Sequence, residues 1–263
     1  MKKYCVIGDP ILHSLSPELH HKIYRMLGIE AVYQKVNVLK NELKRFMNSN
    51  NFDGINITIP HKKIIVPFLE GLDKHAKSIG VVNCVKGNYG FNTDWLGFLK
   101  AMDLNGVILK DKHCLILGSG GAASAVAYAL IRADVGSINI KSRNQNQSKF
   151  VLDWIHKHFP NNNLSNIPDV IINCTPLGMY PNTDLVPIEI GFVNKDMVLI
   201  DTIYNPIETH WLLIAKKLGA RVVGGLDMFI AQGILSAEIW FGIDIFNQID
   251  VDVIKQEIKE IIC

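Results

Sequence analysis

The chain has 263 residues, 48% of them apolar, enough for one large core or two medium ones, and its length favours two domains. A formal net charge of +2, a sequence pI near 8.2 and cations interspersed with acidic residues exclude the basic footprint of a nucleic-acid binder. No apolar run reaches membrane-spanning length, and the N-terminus lacks the apolar stretch and cleavage site of a signal peptide, so we expect a cytoplasmic protein.

In chain order, the first hundred residues alternate strand and helix. Tyr4 to Ile7 reads as a buried strand, Pro17 to Leu27 as a helix, Ala31 to Val36 as a strand and Asn41 to Asn48 as a helix. Gly54 to Thr58 reads as a strand and Lys62 to Phe68 as helical. This alternation predicts an α/β sheet with parallel strands. Val81 to Val85 and Tyr89 to Asn92 read as a hairpin around Lys86-Gly87-Asn88, and Thr93 to Leu104 as a helix leading to a second unit.

In that unit, Cys114 to Leu117, Ser137 to Ile140, Val170 to Asn173, Val198 to Asp201 and Arg221 to Val223 read as strands with helices between them. Asn144 to Ser148 reads as a loop before a helix. Asp227 to Trp240 reads as a long apolar helix and Val251 to Ile262 as a less regular one. The expected fold class is therefore α/β, with a doubly wound, Rossmann-type second domain. The five cysteines, Cys5, Cys84, Cys114, Cys174 and Cys263, are far apart and read as small buried filler. No His/Cys cluster has zinc spacing, and no metal is expected.

Chemistry enters at Cys114 to Leu130, where an apolar strand runs into a glycine turn and an alanine-rich helix. Gly118 permits the tight turn, Gly120 lets backbone approach a pyrophosphate, and Ala123 allows close packing of helix on strand. Ser119, Gly121 and Ala122 complete the turn and the helix start, whose N–H groups face phosphate. About twenty residues past the turn, where a free ribose 2′-hydroxyl calls for Asp or Glu, stand Lys141, Ser142 and Arg143. Cations and a hydroxyl there suit a 2′-phosphate, hence NADP(H) rather than NAD.

Six separated motifs line up in order: H-S-L-S-P at His13 to Pro17, N-I-T-I-P-H-K at Asn56 to Lys62, V-N at Val82-Asn83, F-N-T-D at Phe91 to Asp94, N-C-T-P-L-G-M at Asn173 to Met179 and G-L-D-M-F-I-A-Q at Gly225 to Gln232. With them the chain resembles the shikimate dehydrogenase family almost end to end. The resemblance implies reduction of 3-dehydroshikimate to shikimate with NADPH in aromatic amino-acid biosynthesis. It implies a substrate domain over residues 1–104, a cofactor domain over 105–225 and C-terminal helices over 226–263 that return to the substrate domain, with a cleft between the domains. A small-molecule substrate is expected, with no nucleic acid or membrane partner, and a monomer or homodimer.

Lys62 follows a predicted strand, where an α/β sheet presents its ligands, and an ammonium can protonate and stabilise a developing alkoxide. The plainer role of Lys62 is a solvated helix start, and that of Asp94 a helix cap. The resemblance makes Lys62 and Asp94 the catalytic pair. Ser14 and Ser16 precede a predicted helix, a good place for a carboxylate, though Ser16 also suits a cap and Ser14 a turn. By resemblance both hold the substrate carboxylate with Tyr204, while Thr58, Asn83, Asp94 and Gln232 match positions that bond the ring hydroxyls or the carboxylate. Thr175 and Gly225 fall in the motifs placed on the cofactor side.

His13 and His61 are assigned no catalytic role, and the four tryptophans are expected in cores or interfaces. The chain departs from the family at the cofactor end: Gln147 stands where a second arginine is usual, and Ser124 where an arginine is frequent. A quinate-active paralogue using NAD or NADP and a non-catalytic ligand sensor are the rival readings.

Overall fold

The computed structural model describes residues 1–162, 165 and 167–262; Cys263, read above as filler, lies outside them. Two compact units emerge, one of Met1–Asp94 with Ile230–Ile261, the other of Trp95–Phe229 with Ile262.

The first unit opens with β1 (Lys2–Gly8), α1 (Ser16–Leu27), β2 (Ala31–Asn37), α2 (Leu43–Ser49) and β3 (Gly54–Ile57). It continues through β4 (Gly71–Leu72), α3 (Lys74–Ile79), β5 (Cys84–Lys86) and β6 (Tyr89–Phe91). The sheet order is β2-β1-β3-β5-β6-β4. Only part of it is parallel. β1 pairs parallel with β2 and β3, whereas β5 runs antiparallel to both β3 and β6, so the sheet expected to be parallel is mixed. The short Gly87 turn, with φ of +58°, leaves no room for a crossover between β5 and β6, so that pair is the expected hairpin; the antiparallel pairing of β5 with β3 was not foreseen.

Residues Lys62 to Phe68, expected to be helical, form turns ending in a 3₁₀ helix over Val66–Phe68. Pro67 lacks an N–H and cannot continue an α-helix. β4 and α3 went unforeseen because their six residues or fewer are too short for a periodic signal.

The second unit holds α4 (Asp94–Leu104) from Trp95 onward, then β7 (His113–Leu117), α5 (Gly121–Arg132), β8 (Ser137–Lys141) and α6 (Gln145–His158). β9 (Val170–Asn173), β10 (Val198–Asp201), α7 (His210–Lys217) and β11 (Arg221–Val223) follow. The helix α8 (Leu226–Phe241) begins in this unit and ends in the first, where α9 (Val251–Ile262) also belongs as far as Ile261. The boundary expected after residue 104 falls instead at the start of α4, because Phe98, Ala101 and Met102 pack into the second unit's core.

Among the described residues the five strands of that unit are all parallel, in the order β11-β10-β9-β7-β8, which makes it a doubly wound, Rossmann-type sheet. Cys114 and Ile116 of β7 point to the core with α4, α5 and α6, while Leu117 points to the core with Trp211, Leu212 and Ala215 of α7. Both faces are buried, which is why these strands read as continuous apolar runs. The helix expected between β9 and β10 is absent among the described residues: Pro176, Gly178, Pro181 and Pro187 keep 174–197 irregular. Asn144 to Ser148, expected as a loop, is the start of α6, with Asn144 capping it by accepting from Gln147 N–H at 3.0 Å.

Trp211 and Trp240 are buried, and Trp95 and Trp154 pack half-buried on a core. Cys5, Cys84 and Cys114 are buried free thiols; Cys174 is only half-buried.

Candidate active site

In the first unit, β1 and β3 are adjacent and parallel, and β6 runs with them because two antiparallel pairings restore the direction. Segments leaving the carboxyl ends of β1, β3 and β6, and the one entering β5, therefore meet at one edge. Those segments carry Ser14 and Ser16, Thr58 and Lys62, Asp94, and Asn83 respectively. Gly8, the last residue of β1, has to be glycine, because a Cβ there would lie 2.8 Å from the Ile59 carbonyl oxygen.

Lys62 Nζ is 2.6 Å from Asp94 Oδ2. Asp94 Oδ1 accepts from Asn83 Nδ2 at 2.9 Å, so neither oxygen of this carboxylate lacks a partner. Asn83 Nδ2 also reaches Gln232 Oε1 at 3.3 Å. Four of the expected site residues, Lys62, Asp94, Asn83 and Gln232, thus form one cluster.

Ser14 Oγ donates to Ser16 Oγ at 3.1 Å and accepts from Ser16 N–H at 3.3 Å. The cap position of α1 belongs to Leu15, which contributes no side-chain bond, so it is Ser14 that serves the helix start. Thr58 is tied by its backbone N–H to the Ile7 carbonyl. His61 is fully buried, its Nε2 2.6 Å from the Val38 carbonyl oxygen, and it braces the segment that carries Lys62; His13 is exposed.

In the second unit, parallelism puts Gly118, Ser142, Thr175, Tyr204 and Gly225 beyond the carboxyl ends of the five strands. Gly118 has φ of +108°, and a Cβ there would lie 3.0 Å from the Cys174 carbonyl oxygen. Gly120 caps α5, and no atom stands within 4 Å of where its Cβ would be, leaving the helix start open to a phosphate. Gly121 and Ala122 begin the helix half-exposed, while Ala123 is fully buried against the sheet. Ser124 Oγ donates back to the Gly120 carbonyl.

Ser119 Oγ and Ser142 Oγ are 2.9 Å apart, and Gln147 Oε1 accepts from Ser119 at 3.4 Å. Arg143 is exposed, and no carboxylate among the described residues pairs with it. A helix start with room beside it and an uncommitted guanidinium fit a pyrophosphate and a 2′-phosphate.

Thr175 Oγ1 donates to Asn173 Oδ1 at 2.7 Å. Gly225 must be glycine, since a Cβ would lie 2.5 Å from the Thr202 carbonyl carbon. Tyr204 stacks on Phe229 with ring centroids 4.1 Å apart.

Sequence reading missed the groups behind these residues. Asp201 accepts from Asn173 Nδ2, Thr209 Oγ1 and Ile203 N–H, and its burial pushes the carboxyl up to about 6. Asn56, Thr93 and Ser236 form a buried polar lattice in the first unit. Asn56 and Thr93 lay inside quoted motifs, but only the fold reveals what they touch. Among the described residues no cluster of His, Cys, Asp or Glu could hold a metal ion, and no helix is long and apolar enough to cross a membrane.

A doubly wound sheet with an open glycine turn and a separate lysine–carboxylate cluster defines a nucleotide-dependent dehydrogenase. Residues 6–85 match the family described as the shikimate dehydrogenase substrate binding domain. The chain is 41% identical over 261 residues to a shikimate dehydrogenase (NADP(+)) of Methanococcus maripaludis, covering 92% of this chain and 93% of the other. It superposes on the crystal structure of a shikimate dehydrogenase in complex with NADP+ with a TM-score of 0.92 at 35% identity, covering all of this chain and 96% of that one. A Thermus thermophilus shikimate 5-dehydrogenase in complex with NADP(H) and shikimate gives 0.82 at 29% identity, covering 98% and 99%. The chain belongs to the shikimate dehydrogenase family.

Proposed function

We propose that this protein catalyses the reversible, NADPH-dependent reduction of 3-dehydroshikimate to shikimate, in the pathway to aromatic amino acids. NADPH supplies the hydride for the ring carbonyl carbon. Lys62 gives the carbonyl oxygen its proton, and Asp94 holds the ammonium in place while accepting from a ring hydroxyl. Ser14 and Ser16 bind the carboxylate, and Thr58, Asn83 and Gln232 the ring hydroxyls; a small ligand with many polar groups suits such side chains. The first unit is assigned to the substrate. In the second, the Gly118 to Ala122 turn takes the pyrophosphate, Ser142 and Arg143 the 2′-phosphate, and Thr175 and Gly225 the nicotinamide side.

The observation that carries this reading is the 2.6 Å Lys62–Asp94 pair, reinforced by Asn83, at the carboxyl edge of β1, β3 and β6. We further infer a cytoplasmic protein acting as a monomer or homodimer. Initial rates for shikimate and quinate, each with NADP+ and NAD+, test the proposal. The expected result is highest kcat/KM with shikimate and NADP+; preference for quinate or NAD+ overturns it.

A further inference from the structure

Thr93 stands between Asn92 and Asp94, is 3% exposed, and was assigned no role above. Its backbone N–H donates to Asn83 Oδ1 at 2.6 Å, and its hydroxyl accepts from Asn83 Nδ2 at 2.8 Å. A backbone N–H can only donate, so this contact fixes which end of the Asn83 amide is oxygen. The amide nitrogen is thereby turned toward Asp94 Oδ1. That leaves Asp94 Oδ2 for Lys62.

The other side of Thr93 is equally committed. Its hydroxyl donates to the Gln232 carbonyl oxygen at 3.0 Å, which also accepts from Ser236 Oγ at 2.9 Å. Ser236 Oγ in turn accepts from Asn56 Nδ2 at 2.9 Å, and Asn56 Oδ1 accepts from the buried Tyr33 hydroxyl at 2.7 Å. Every donor in this chain ends on an acceptor, the condition under which a buried polar network specifies one geometry. Asn83 Nδ2 has three acceptors for two hydrogens, and the longest contact is the one to Gln232 Oε1. Asn83 is therefore held in place by Thr93 and Asp94 more than by Gln232.

We propose that Thr93 is a positioning residue for the reaction: by orienting the Asn83 amide and anchoring to the Gln232 backbone, it fixes the Asp94 carboxylate that aligns Lys62. This rests on the functional reading above. Thr93 touches no reacting atom, and acts through Asn83 and Asp94. Removing its hydroxyl leaves the second amide hydrogen of Asn83 only the longer contact to Gln232 Oε1 at 3.3 Å and loosens the carboxylate, so the loss falls on kcat more than on KM for shikimate.

The test compares T93V, T93S, N83A and the double variant T93V/N83A, using shikimate and NADP+. T93V is expected to lower kcat about tenfold to hundredfold with KM changed about threefold or less, and T93S to recover most of the activity. Because Thr93 works through Asn83, adding T93V to N83A should cost less than about threefold. A T93V enzyme as active as wild type, or one that costs the same factor with and without Asn83, overturns the proposal. If T93V does not fold, the Asn83 side-chain amide of the wild-type protein is read by NMR. A single set of slowly exchanging protons is expected, and an averaged, rapidly exchanging amide overturns the proposal. Wild type inactive on shikimate sinks the functional reading instead, and the NMR arm, repeated on T93A, decides whether Thr93 fixes the amide: exchange in T93A as slow as in wild type overturns the proposal.

Discussion

Lys62 Nζ and Asp94 Oδ2 lie 2.6 Å apart although 32 residues separate them, with the Lys62 side chain 17% exposed and that of Asp94 5%. The ammonium has three hydrogens and only one is engaged by this carboxylate, so it can present another to an oxygen arriving from solvent. The shielding of Asp94 strengthens the pair relative to one in water.

For Lys62→Ala we expect kcat to fall by about 10²–10⁴-fold, the usual contribution of a positioned general acid, with KM changed little. The substitution also leaves a buried carboxylate with Asn83 as its remaining partner, so thermal unfolding should be followed alongside the rates. Near wild-type kcat in a folded variant removes Lys62 from the mechanism.

Ser14→Ala should raise KM for shikimate more than it lowers kcat, because a hydroxyl holding a carboxylate binds ground and transition states alike. One charge-assisted hydrogen bond predicts a loss of roughly 1.5–3 kcal/mol. The check is a substrate analogue without the carboxylate: an equal loss on it means that Ser14 serves only the start of α1.

Arg143→Ala should weaken NADP+ by about tenfold to hundredfold, from one charge-assisted bond, and leave NAD+ nearly unchanged. Gln147, bonded to Ser119, offers no second cation to take its place. Measuring kcat/KM for both cofactors in both proteins decides it, and equal losses refute a 2′-phosphate contact.

Asp201 supplies a pH signature in stability. Its carboxyl is raised to about 6 from an ordinary 3.8, so the folded protein binds the proton more tightly than the unfolded chain. Stability from this group therefore declines as pH rises from about 4 to about 6, by on the order of 3 kcal/mol. Asp201→Asn removes that slope. In denaturant titrations the variant should compare better with wild type at pH 7 than at pH 4; a difference independent of pH refutes the assignment.

The candidate site was legible wherever chemistry is local in sequence. The glycine turn announces itself because Gly118 needs positive φ and Ala123 needs to be small, and both demands fall on neighbouring residues. Arg143 was found by its distance from that turn, and Lys62, Asp94 and Ser14 through motifs that resemble a family. Asn56, Thr93, Ser236 and Asp201 were not, because a polar residue in a buried position carries no sign of its partner. Asn56 meets Ser236 across 180 residues, a pairing made by α8 and β3 packing together in the first unit.

By itself the sequence determined the alternation of strands and helices, the all-parallel second sheet and the class of cofactor, since apolar period, glycine placement and charge act within a few residues. Only the tertiary structure decided that β5 also runs antiparallel to β3, that α4 from Trp95 onward packs with the second unit, and that Asn83 presents its nitrogen to Asp94. The reason is physical: strand direction, helix packing and amide orientation are settled by burial and hydrogen-bond satisfaction among segments far apart in the chain, and no local pattern encodes which segments will meet.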